Sequence, residues 1–296
     1  MQLSYAAPAC LGEALALLAE RGPDSTILAG GMSVVPALKQ GLLKRTCIIN
    51  IKGIDGDGLP VPAVNAANDW LTIGALVRHR EVETSPLVAE HFPALRALEE
   101  KLASVQIRNH GTLAGNLCAA EPWSDPPCLL AALGASLTIV STRGQRQVPA
   151  AEWIRGAGET QCEPDELLLQ IDLPLLRGRA GSGHVRLAPR QGLARPLACA
   201  AAQVGLSERG DVTAARVFVG AVGPRPQRMN EVEAMLTGQR LNGELAGDIE
   251  RAVERKVECL PDQRCGAAYK RQVAGVLARR AIAAAVEDAG SGRMAA

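Results

Sequence analysis

Hydrophobic positions at the start of the chain follow first a helical and then a strand-like spacing. Apolar residues recur at helical intervals through LGEALALLAER (11–21), which predicts an amphipathic helix that ends at a Gly-Pro pair. The apolar runs STILAGG (25–31) and CIINI (47–51) predict buried strands, and VVPALKQGLL (34–43) predicts a short helix between them. This strand–helix–strand order indicates a small α/β unit that ends near residue 58.

The middle of the chain alternates apolar runs with segments rich in turn-forming residues. WLTIGALV (70–77) and ELLLQIDLP (166–174) predict strands, and residues 81–104 predict helix interrupted by a proline. Residues 56–68 are rich in Gly, Pro and Asn and predict a loop or linker. The segment IRNHGTLAGNLCAAEPWSDPP (107–127) contains so many glycines and prolines that we expect irregular structure there.

The last third of the chain has a different pattern. A Gly- and Arg-rich stretch, 175–184, predicts a second linker. LACAAAQVGL (197–206) and ARVFVGAV (215–222) predict strands around a turn, the beginning of an antiparallel meander, and residues 231–287 predict mainly helix. The sequence therefore predicts antiparallel strands followed by helices in this part.

Composition excludes several classes of function. Net charge is +1, from 32 basic and 31 acidic residues without a basic stripe, so we expect no nucleic-acid partner. Aromatic residues make up only 2% of the chain, so Ala, Leu and Val must fill the core. No apolar run reaches the roughly 18 residues of a membrane-spanning helix, and the first residues show no secretory pattern. We expect a cytoplasmic protein without a membrane span.

The cysteines and histidines lack the spacing of metal sites. No C-x-x-C or H-x-x-x-H pair occurs, so the sequence predicts free thiols, no iron–sulfur cluster and no metal site within the chain. The residues considered are Cys10, Cys47, Cys118, Cys128, Cys162, Cys199, Cys259, Cys265, His79, His91, His110 and His184.

Two glycine-containing segments are the candidate ligand site. Glycines let the backbone approach a ligand closely, and successive N–H groups beside a helix start form an anion-binding nest. A turn from strand to helix also requires glycine, so the first segment alone leaves a purely structural role open. The first segment is Ala29, Gly30, Gly31, Met32 and Ser33. The second is Gly111, Thr112, Leu113, Ala114, Gly115 and Asn116.

An acidic residue follows the second segment. Asp125 stands just before Pro126, and a carboxylate after a phosphate loop suits a ribose hydroxyl. The alternative is turn formation ahead of the proline. Neither G-x-G-x-x-G nor G-x-x-x-x-G-K-[ST] follows a strand, which excludes a Rossmann or P-loop site.

The paired motifs resemble those of a known family. AGGMS, then IRNHGTLAGN followed by PWSDPP, is similar to the FAD-binding segment of the xanthine dehydrogenase family. The similarity is greatest to the separate medium subunit of bacterial carbon monoxide dehydrogenase-like molybdenum hydroxylases. It extends to both ends of the chain, through YAAPACLGEALALLAERG and through FVGAVGPRPQRMNEVEAMLTG and YKRQVAGVLARRAI.

The resemblance implies an α+β fold. This would be a two-subdomain FAD-binding fold of the vanillyl-alcohol-oxidase type plus a small C-terminal α+β domain, an antiparallel sheet with helices. The corresponding ranges are 1–58 for the first FAD-binding subdomain, 59–176 for the second and 177–296 for the C-terminal domain.

The same resemblance implies a cofactor and its contacts. One FAD would be bound non-covalently, with its pyrophosphate on the backbone of residues 29–33 and 112–116 and with Asp125 near the adenosine ribose. The family pattern E-x-L-L places Leu168 at the flavin, and RLAPR places a basic contact at Arg186. No residue of this chain is expected to be catalytic toward the organic substrate.

Three positions depart from the family pattern. Met32 stands where His, Gln or Thr is usual, and Ala114 replaces the first glycine of a Gly-Gly pair. If the Ala114 position requires a positive φ, alanine costs on the order of 1–2 kcal/mol, and otherwise the change is nearly neutral. Ala194 stands where many relatives carry an acidic residue near the flavin ring.

The function that the resemblance implies is electron transfer within a complex. FAD would pass electrons from [2Fe-2S] clusters of an iron–sulfur small subunit to an external acceptor. The molybdenum cofactor would belong to a large subunit, and the assembly would be a dimer of heterotrimers. Two alternatives are a self-sufficient FAD oxidoreductase and a non-catalytic scaffold that has lost FAD.

Overall fold

The computed structural model describes residues 3–54, 64–67, 69–190 and 194–291. The expected subdomain boundary near residue 58 lies outside these ranges, and the predicted domain limits stay predictions. The described elements form three main sheets with helices around them, which confirms the mixed α+β prediction.

The N-terminal unit is a three-stranded parallel sheet with order β1-β3-β2. Its first helix buries Ala14, Leu15 and Leu18 against the sheet side, as the helical spacing predicts. The predicted strand–helix–strand pattern is confirmed here. The elements are β1 (Ser4–Ala6), α1 (Leu11–Arg21), β2 (Ser25–Leu28), α2 (Val34–Lys39) and β3 (Cys47–Asn50).

The second sheet has five strands in the order β4-β5-β10-β6-β7, and its paired strands are antiparallel. The prediction of a linker through 56–68 is wrong in its last part, because Val64–Ala67 pairs with the next strand. The strands are β4 (Val64–Ala67), β5 (Trp70–Gly74), β6 (Ser136–Ser141), β7 (Gly144–Pro149) and β10 (Leu167–Pro174). A small pair, β8 (Ile154–Gly156) and β9 (Glu159–Thr160), lies beside it.

Helices cover this sheet, including a region for which we expected irregular structure. Residues 107–127 are helical except for 111–112 and 120–125, and the expectation is wrong for the helical parts because all of the glycines and prolines except Pro122 lie at helix ends. Ser104 and Thr112 accept backbone N–H groups as N-caps, and Pro126 begins a helix. The helices are α3 (His79–Thr84), α4 (Pro86–His91), α5 (Pro93–Glu100), α6 (Val105–His110), α7 (Leu113–Ala119), α8 (Pro126–Ala132) and α9 (Ala150–Trp153).

The C-terminal part is a four-stranded antiparallel sheet followed by helices, as predicted. Its first strand begins at Ala180, so the second predicted linker is shorter than 175–184. The elements are β11 (Ala180–Leu187), β12 (Ala198–Leu206), β13 (Val212–Gly220), β14 (Gln227–Arg228), α10 (Asn230–Leu236), α11 (Gly243–Lys256) and α12 (Ala267–Gly290).

Small residues bring the long helix α12 against β11. A Cβ at Gly183 would lie 2.3 Å from the Ala281 carbonyl oxygen, and one at Gly181 would lie 2.2 Å from the Ala289 nitrogen. Backbone therefore contacts backbone, and the core there is built mainly from alanine and valine. This packing follows from a chain with few aromatic residues.

The C-terminal sheet also packs against a helix that covers the five-stranded sheet. Helix α8 is fully buried and contacts β12 and β13. Cys199, Ala201 and Phe218 of these strands belong to the same hydrophobic cluster as the five-stranded sheet. Among the described residues, no helix has both the length and the apolar character that crossing a membrane requires.

Candidate functional site

The two glycine segments, 29–33 and 111–116, meet in the fold. A Cβ on Gly30 would lie 2.4 Å from the His110 carbonyl oxygen, 2.6 Å from Gly111 Cα and 2.9 Å from the Thr112 nitrogen. These are all backbone atoms, so only glycine allows the two segments to touch. The predicted pairing of the segments is therefore present in the structure. We call the two together the loop pair.

The first segment offers free backbone donors. Among the described residues, the N–H groups of Gly30, Gly31, Met32 and Ser33 have no hydrogen-bond partner. Gly30 and Gly31 are buried, and Gly31 has a φ of 77°, in the left-handed region. Successive unpaired N–H groups are costly when buried unless a ligand accepts them. The segment therefore has the form of an anion-binding nest.

Two hydroxyl groups at the loop pair have different roles. Ser33 is exposed at the start of α2, and its side chain makes no capping bond. The Thr112 hydroxyl is occupied, because it accepts the Gly115 N–H at 3.0 Å and caps α7. Ala29 is half-buried and packs against the core. Ser33 is thus the hydroxyl that stays available to a ligand.

The two departures within the motifs are tolerated by the backbone. Ala114 lies in α7, is buried, and does not have a positive φ, so alanine brings no left-handed strain. Met32 is exposed beside Gly111, where its Cγ would be 3.4 Å from an added Cβ. Ala114 therefore gives no reason to suppose that the chain has lost its cofactor.

Hydrogen bonds and a buried side chain hold the second segment in place. Leu113 is fully buried, and the Gly111 carbonyl accepts the His79 N–H at 2.9 Å. Asn116 accepts the Ser124 hydroxyl at 2.5 Å, which ties the segment to the stretch before Asp125. Helix α7 is held in turn by Trp153, whose indole N–H donates to the Leu117 carbonyl at 2.9 Å.

Leu168 lies in β10, and an ion pair between Glu166 and Arg146 holds the start of this strand. It is buried in β10, next to an irregularity in pairing between Leu168 and Gln170. Just before it, the Glu166 carboxylate accepts from Arg146 at 2.8 and 2.6 Å and from the Glu163 N–H at 2.8 Å. The hydrogen bond from Arg146 lowers the pKa of Glu166. Sequence analysis did not predict the ion pair between Glu166 and Arg146, because Glu166 entered it only as the first residue of the family pattern E-x-L-L.

Asp125 lies away from solvent and faces the C-terminal sheet. Only 1% of the residue is exposed, and its Oδ2 is 3.0 Å from the Arg186 guanidinium. Burial raises the pKa of Asp125 to about 6, and the Arg186 charge opposes that rise. Arg186 also donates to the carbonyl oxygens of Lys101 and Ala194. The structure therefore joins Asp125 to Arg186, a contact that sequence analysis did not anticipate, and the ribose and flavin contacts stay predictions.

Further side chains complete this junction between the sheets. His184 Nε2 lies 3.7 Å from Asp125 Oδ1, and burial lowers the pKa of His184 to about 3, so the imidazole is neutral. Nearby, the buried Glu99 Oε2 lies within hydrogen-bonding distance, 2.8 Å, of His79 Nδ1. Sequence analysis missed these residues, since they come from separate elements and form no local motif.

The chain matches two family models in sequence. Residues 1–176 match the FAD binding domain in molybdopterin dehydrogenase, and residues 183–285 match the CO dehydrogenase flavoprotein C-terminal domain. The first match covers more than half of the chain. The chain belongs to the molybdopterin dehydrogenase FAD-binding family.

Similar proteins cover the chain from end to end. It is 32% identical to caffeine dehydrogenase subunit beta of Pseudomonas sp. (strain CBB1), over 96% of this chain and 94% of that one. It is 28% identical to the carbon monoxide dehydrogenase medium chain of Hydrogenophaga pseudoflava, over 96% and 97%. These relatives are subunits of dehydrogenases, and this chain is likewise an FAD-dependent oxidoreductase subunit of the molybdenum hydroxylase type.

Solved structures show the same fold. Carbon monoxide dehydrogenase from Hydrogenophaga pseudoflava superposes with a TM-score of 0.90 at 28% identity, covering 100% of this chain and 99% of that one. Quinoline 2-oxidoreductase from Pseudomonas putida 86 superposes with a TM-score of 0.89 at 29% identity, covering 98% of each. The expected family, fold and FAD cofactor are confirmed.

Proposed function

We propose that this FAD-binding subunit is an electron relay. It takes electrons from [2Fe-2S] clusters of an iron–sulfur small subunit and passes them to an external acceptor, while a molybdenum large subunit oxidises the organic substrate. The observation that carries the proposal is the loop pair, whose unpaired backbone N–H groups fit the pyrophosphate of FAD. Bound FAD supplies the redox chemistry, since it exchanges electrons singly or in pairs.

The residues of this chain would bind and orient the cofactor. Backbone N–H groups of residues 30–33 donate to phosphate oxygens, and the exposed Ser33 hydroxyl adds a donor. The contact between Gly30 and Gly111 keeps the two segments at a fixed separation. Thr112 through Asn116 form the other side of the cradle, with the Thr112 hydroxyl retained as the cap of α7. Binding is non-covalent.

Asp125, Leu168 and Arg186 are proposed as the remaining cofactor contacts. Arg186 is held by Asp125 and by two carbonyl oxygens, so its guanidinium has a fixed position. Asp125 would act by holding Arg186 as well as by any contact with the ribose. Leu168 is buried beside the pairing irregularity of β10, where its side chain and backbone are restrained.

Exposed apolar residues beside the loop pair support the proposal that this chain binds partner subunits. Met32 and Val35 at the first segment and Val105 and Ile107 on α6 are all exposed. Met32 lies against Gly111, which caps α6, so these residues border the loop pair. Exposed apolar residues beside a redox site suit an interface with an iron–sulfur subunit. We propose a dimer of heterotrimers in the cytoplasm, a reducing compartment in which the eight cysteines form no disulfides.

Co-purification tests this proposal. The affinity-tagged chain, expressed with its partner subunits, should retain FAD, iron and molybdenum through size-exclusion chromatography, with a mass twice that of a heterotrimer. Acid precipitation should leave the flavin in the supernatant. The chain expressed alone should be yellow yet should not oxidise the substrate of the complex. A colourless complex, or an isolated chain as active as the complex, would contradict the relay.

The tagged Gly53→Ala variant is a matched control for Gly30→Ala in this experiment. A Cβ at Gly53 would meet nothing within 4 Å, whereas one at Gly30 would strike backbone atoms of the second segment. The control should retain FAD, and Gly30→Ala should lose it. Loss of FAD from both variants would remove the loop pair as the cofactor site.

A further inference from the structure

Three potential metal ligands converge at the junction between α8 and the C-terminal sheet. Asp125 lies at the start of α8, His184 in β11 and Cys199 in β12. One ligand atom from each lies within 4.8 Å of the other two, and the His184 Nε2 to Asp125 Oδ1 distance is 3.7 Å. The three residues come from both sides of the junction, so a shared ligand would join them.

Two of these atoms are buried and unpartnered. Among the described residues, only four buried side-chain atoms lack a hydrogen-bond partner, and Asp125 Oδ1 and His184 Nε2 are two of them. The two side chains are 2% and 4% exposed. Leaving a buried carboxylate oxygen and a buried ring nitrogen without partners costs folding free energy. Their facing positions indicate that a cation or a proton belongs between them.

The donor set matches that of a tetrahedral divalent cation. Zinc accepts imidazole nitrogen, thiolate sulfur and carboxylate oxygen at about 2.0–2.3 Å, which places tetrahedral ligands about 3.3–3.7 Å apart. The His184–Asp125 distance already lies at that value. The three ligand atoms lie within 4.8 Å of one another, so the wider pairs must approach by up to about 1 Å to bind an ion. Two anionic ligands, Asp125 and Cys199, would neutralise the charge of the ion.

The surroundings supply the outer contacts that such a site needs. Arg186 binds the second carboxylate oxygen, Asp125 Oδ2, at 3.0 Å and leaves Oδ1 free. A hydrogen bond with the Cys128 thiol is the largest cause that raises the pKa of Cys199, followed by burial. A Cβ on Gly220 would lie 2.9 Å from Cys199 Sγ and 3.2 Å from Cys128 Sγ, so both thiols face this position. Cys128 therefore packs beside Cys199 and is not one of the three clustered ligands.

The protonation states determine the conditions for binding. His184 would bind through the lone pair of Nε2, the ring nitrogen that has no hydrogen-bond partner. Cys199 must bind as the thiolate, so metal uptake releases a proton and weakens as pH falls. The positive charge of Arg186 disfavours a cation beside Asp125, and the negative charge of Glu99 favours one.

We propose that Asp125, His184 and Cys199 bind a zinc ion that clips the C-terminal sheet to helix α8. The site is structural, since it joins β11 and β12 to the helix that follows the second glycine segment. It departs from the sequence-based expectation of no metal in this chain, because the ligands come from three separate segments. Asp125 is also one of the proposed cofactor contacts, so metal binding is measured separately from FAD binding, and the electron relay can hold whether or not the ion binds.

Cobalt binding tests the site on the full chain. Chelator-treated chain is titrated with Co²⁺ at pH 7.5, and difference spectra subtract the constant absorbance of any flavin. We expect one equivalent to bind, with a thiolate-to-cobalt band in the near ultraviolet and visible bands of tetrahedral cobalt. Zinc added afterwards should displace the cobalt. The chain purified without chelator should contain zinc by elemental analysis, and zinc should raise its melting temperature.

Two buried cysteines provide a matched pair of variants. Cys199→Ala should weaken metal affinity by about 100-fold or more and abolish the near-ultraviolet band. Cys47→Ala, which removes an equally buried thiol from β3, should leave both unchanged. If Cys199→Ala does not fold in the metal-free melting control, His184→Gln takes its place with the same expected loss of affinity. Absence of the band in wild type, or equal affinity in Cys199→Ala and wild type, overturns the proposal and leaves a shared proton between Asp125 and His184.

Discussion

The loop pair and the junction around Asp125 are built in opposite ways. At the loop pair the backbone supplies the donors, and glycine is required because an added Cβ on Gly30 would strike backbone atoms. At the junction the backbone is regular helix and strand, and side chains such as Arg186 and His184 determine the chemistry. The loop pair should therefore tolerate changes of side chain that leave its backbone in place, but not an added Cβ on Gly30. The junction should be sensitive to the loss of its charged and polar side chains, such as Arg186 and His184.

The largest effect is expected at Gly30. Gly30→Ala forces the two segments apart, because none of the three nearest atoms is a movable side chain. We expect FAD affinity to fall by more than about 100-fold, equivalent to about 2.7 kcal/mol. Flavin titration of the purified chain measures this, with Gly53→Ala as the control. An affinity within threefold of wild type would show that the backbone contact is not required for binding.

The next effect concerns the ion pair at the junction. Asp125→Asn and Arg186→Gln, singly and together, form a double-mutant cycle that measures the coupling of the two side chains. Both side chains are largely buried, so we expect a coupling of about 1–3 kcal/mol in the unfolding free energy of the flavin-free, chelator-treated chain. FAD affinity measured on the same variants separates a role in folding from a contact with the cofactor. A coupling near zero would show that the observed contact does not contribute to stability.

A smaller and pH-dependent effect is expected at Glu166. Its pKa is lowered by Arg146, so the carboxylate stabilises the fold above its unfolded pKa, and that contribution is lost as pH falls through the folded value. Arg146 is partly exposed, so solvent screens the pair and we expect Glu166→Gln to cost about 1–2 kcal/mol at pH 7. Chemical denaturation at pH 7 and pH 3.5 measures it. The difference between wild type and variant should shrink at the lower pH, and a constant difference would exclude the charged interaction as its cause.

The smallest effect is expected at Ala114. The position is helical, so Ala114→Gly adds conformational entropy to the unfolded chain and costs about 0.5–1 kcal/mol of stability. FAD affinity should stay within about threefold, because the backbone geometry of the second segment is unchanged. Melting temperature and flavin titration on one preparation report both quantities. A loss of affinity above tenfold would indicate that the methyl group contacts the cofactor or its cradle.

The contrast between the two regions also explains what sequence analysis could predict. The glycine segments are local patterns of five and six residues, and the family resemblance places them at one ligand, so the loop pair was predictable. Elements with clear periodicity, such as α1 and β10, were predicted for the same reason. Tertiary contacts between distant segments leave no such pattern, and the pairing of Asp125 with Arg186 and His184 was therefore missed.

The prediction of irregular structure through 107–127 failed for a different reason. Glycine and proline interrupt a helix when they lie in its interior, but both are compatible with helix at its ends. Gly111 ends α6, Gly115 lies in the first turn of α7 and Pro126 begins α8. The capping residues Ser104 and Thr112 were visible in the sequence and would have indicated these starts.

Because the chain has few aromatic side chains, its intrinsic tryptophan fluorescence can report on the cofactor site. The chain has three tryptophans, and Trp153 is fully buried with its indole hydrogen-bonded to α7, the helix that contains the last four residues of the second glycine segment. Trp70 is exposed, and Trp123 lies under the Arg195 guanidinium at 4.1 Å. Flavin absorbs where buried indoles emit, so filling of the site should dim the blue-shifted emission of Trp153. Intrinsic fluorescence would then follow cofactor loading without any attached label, and Trp153→Phe would remove the signal at its source.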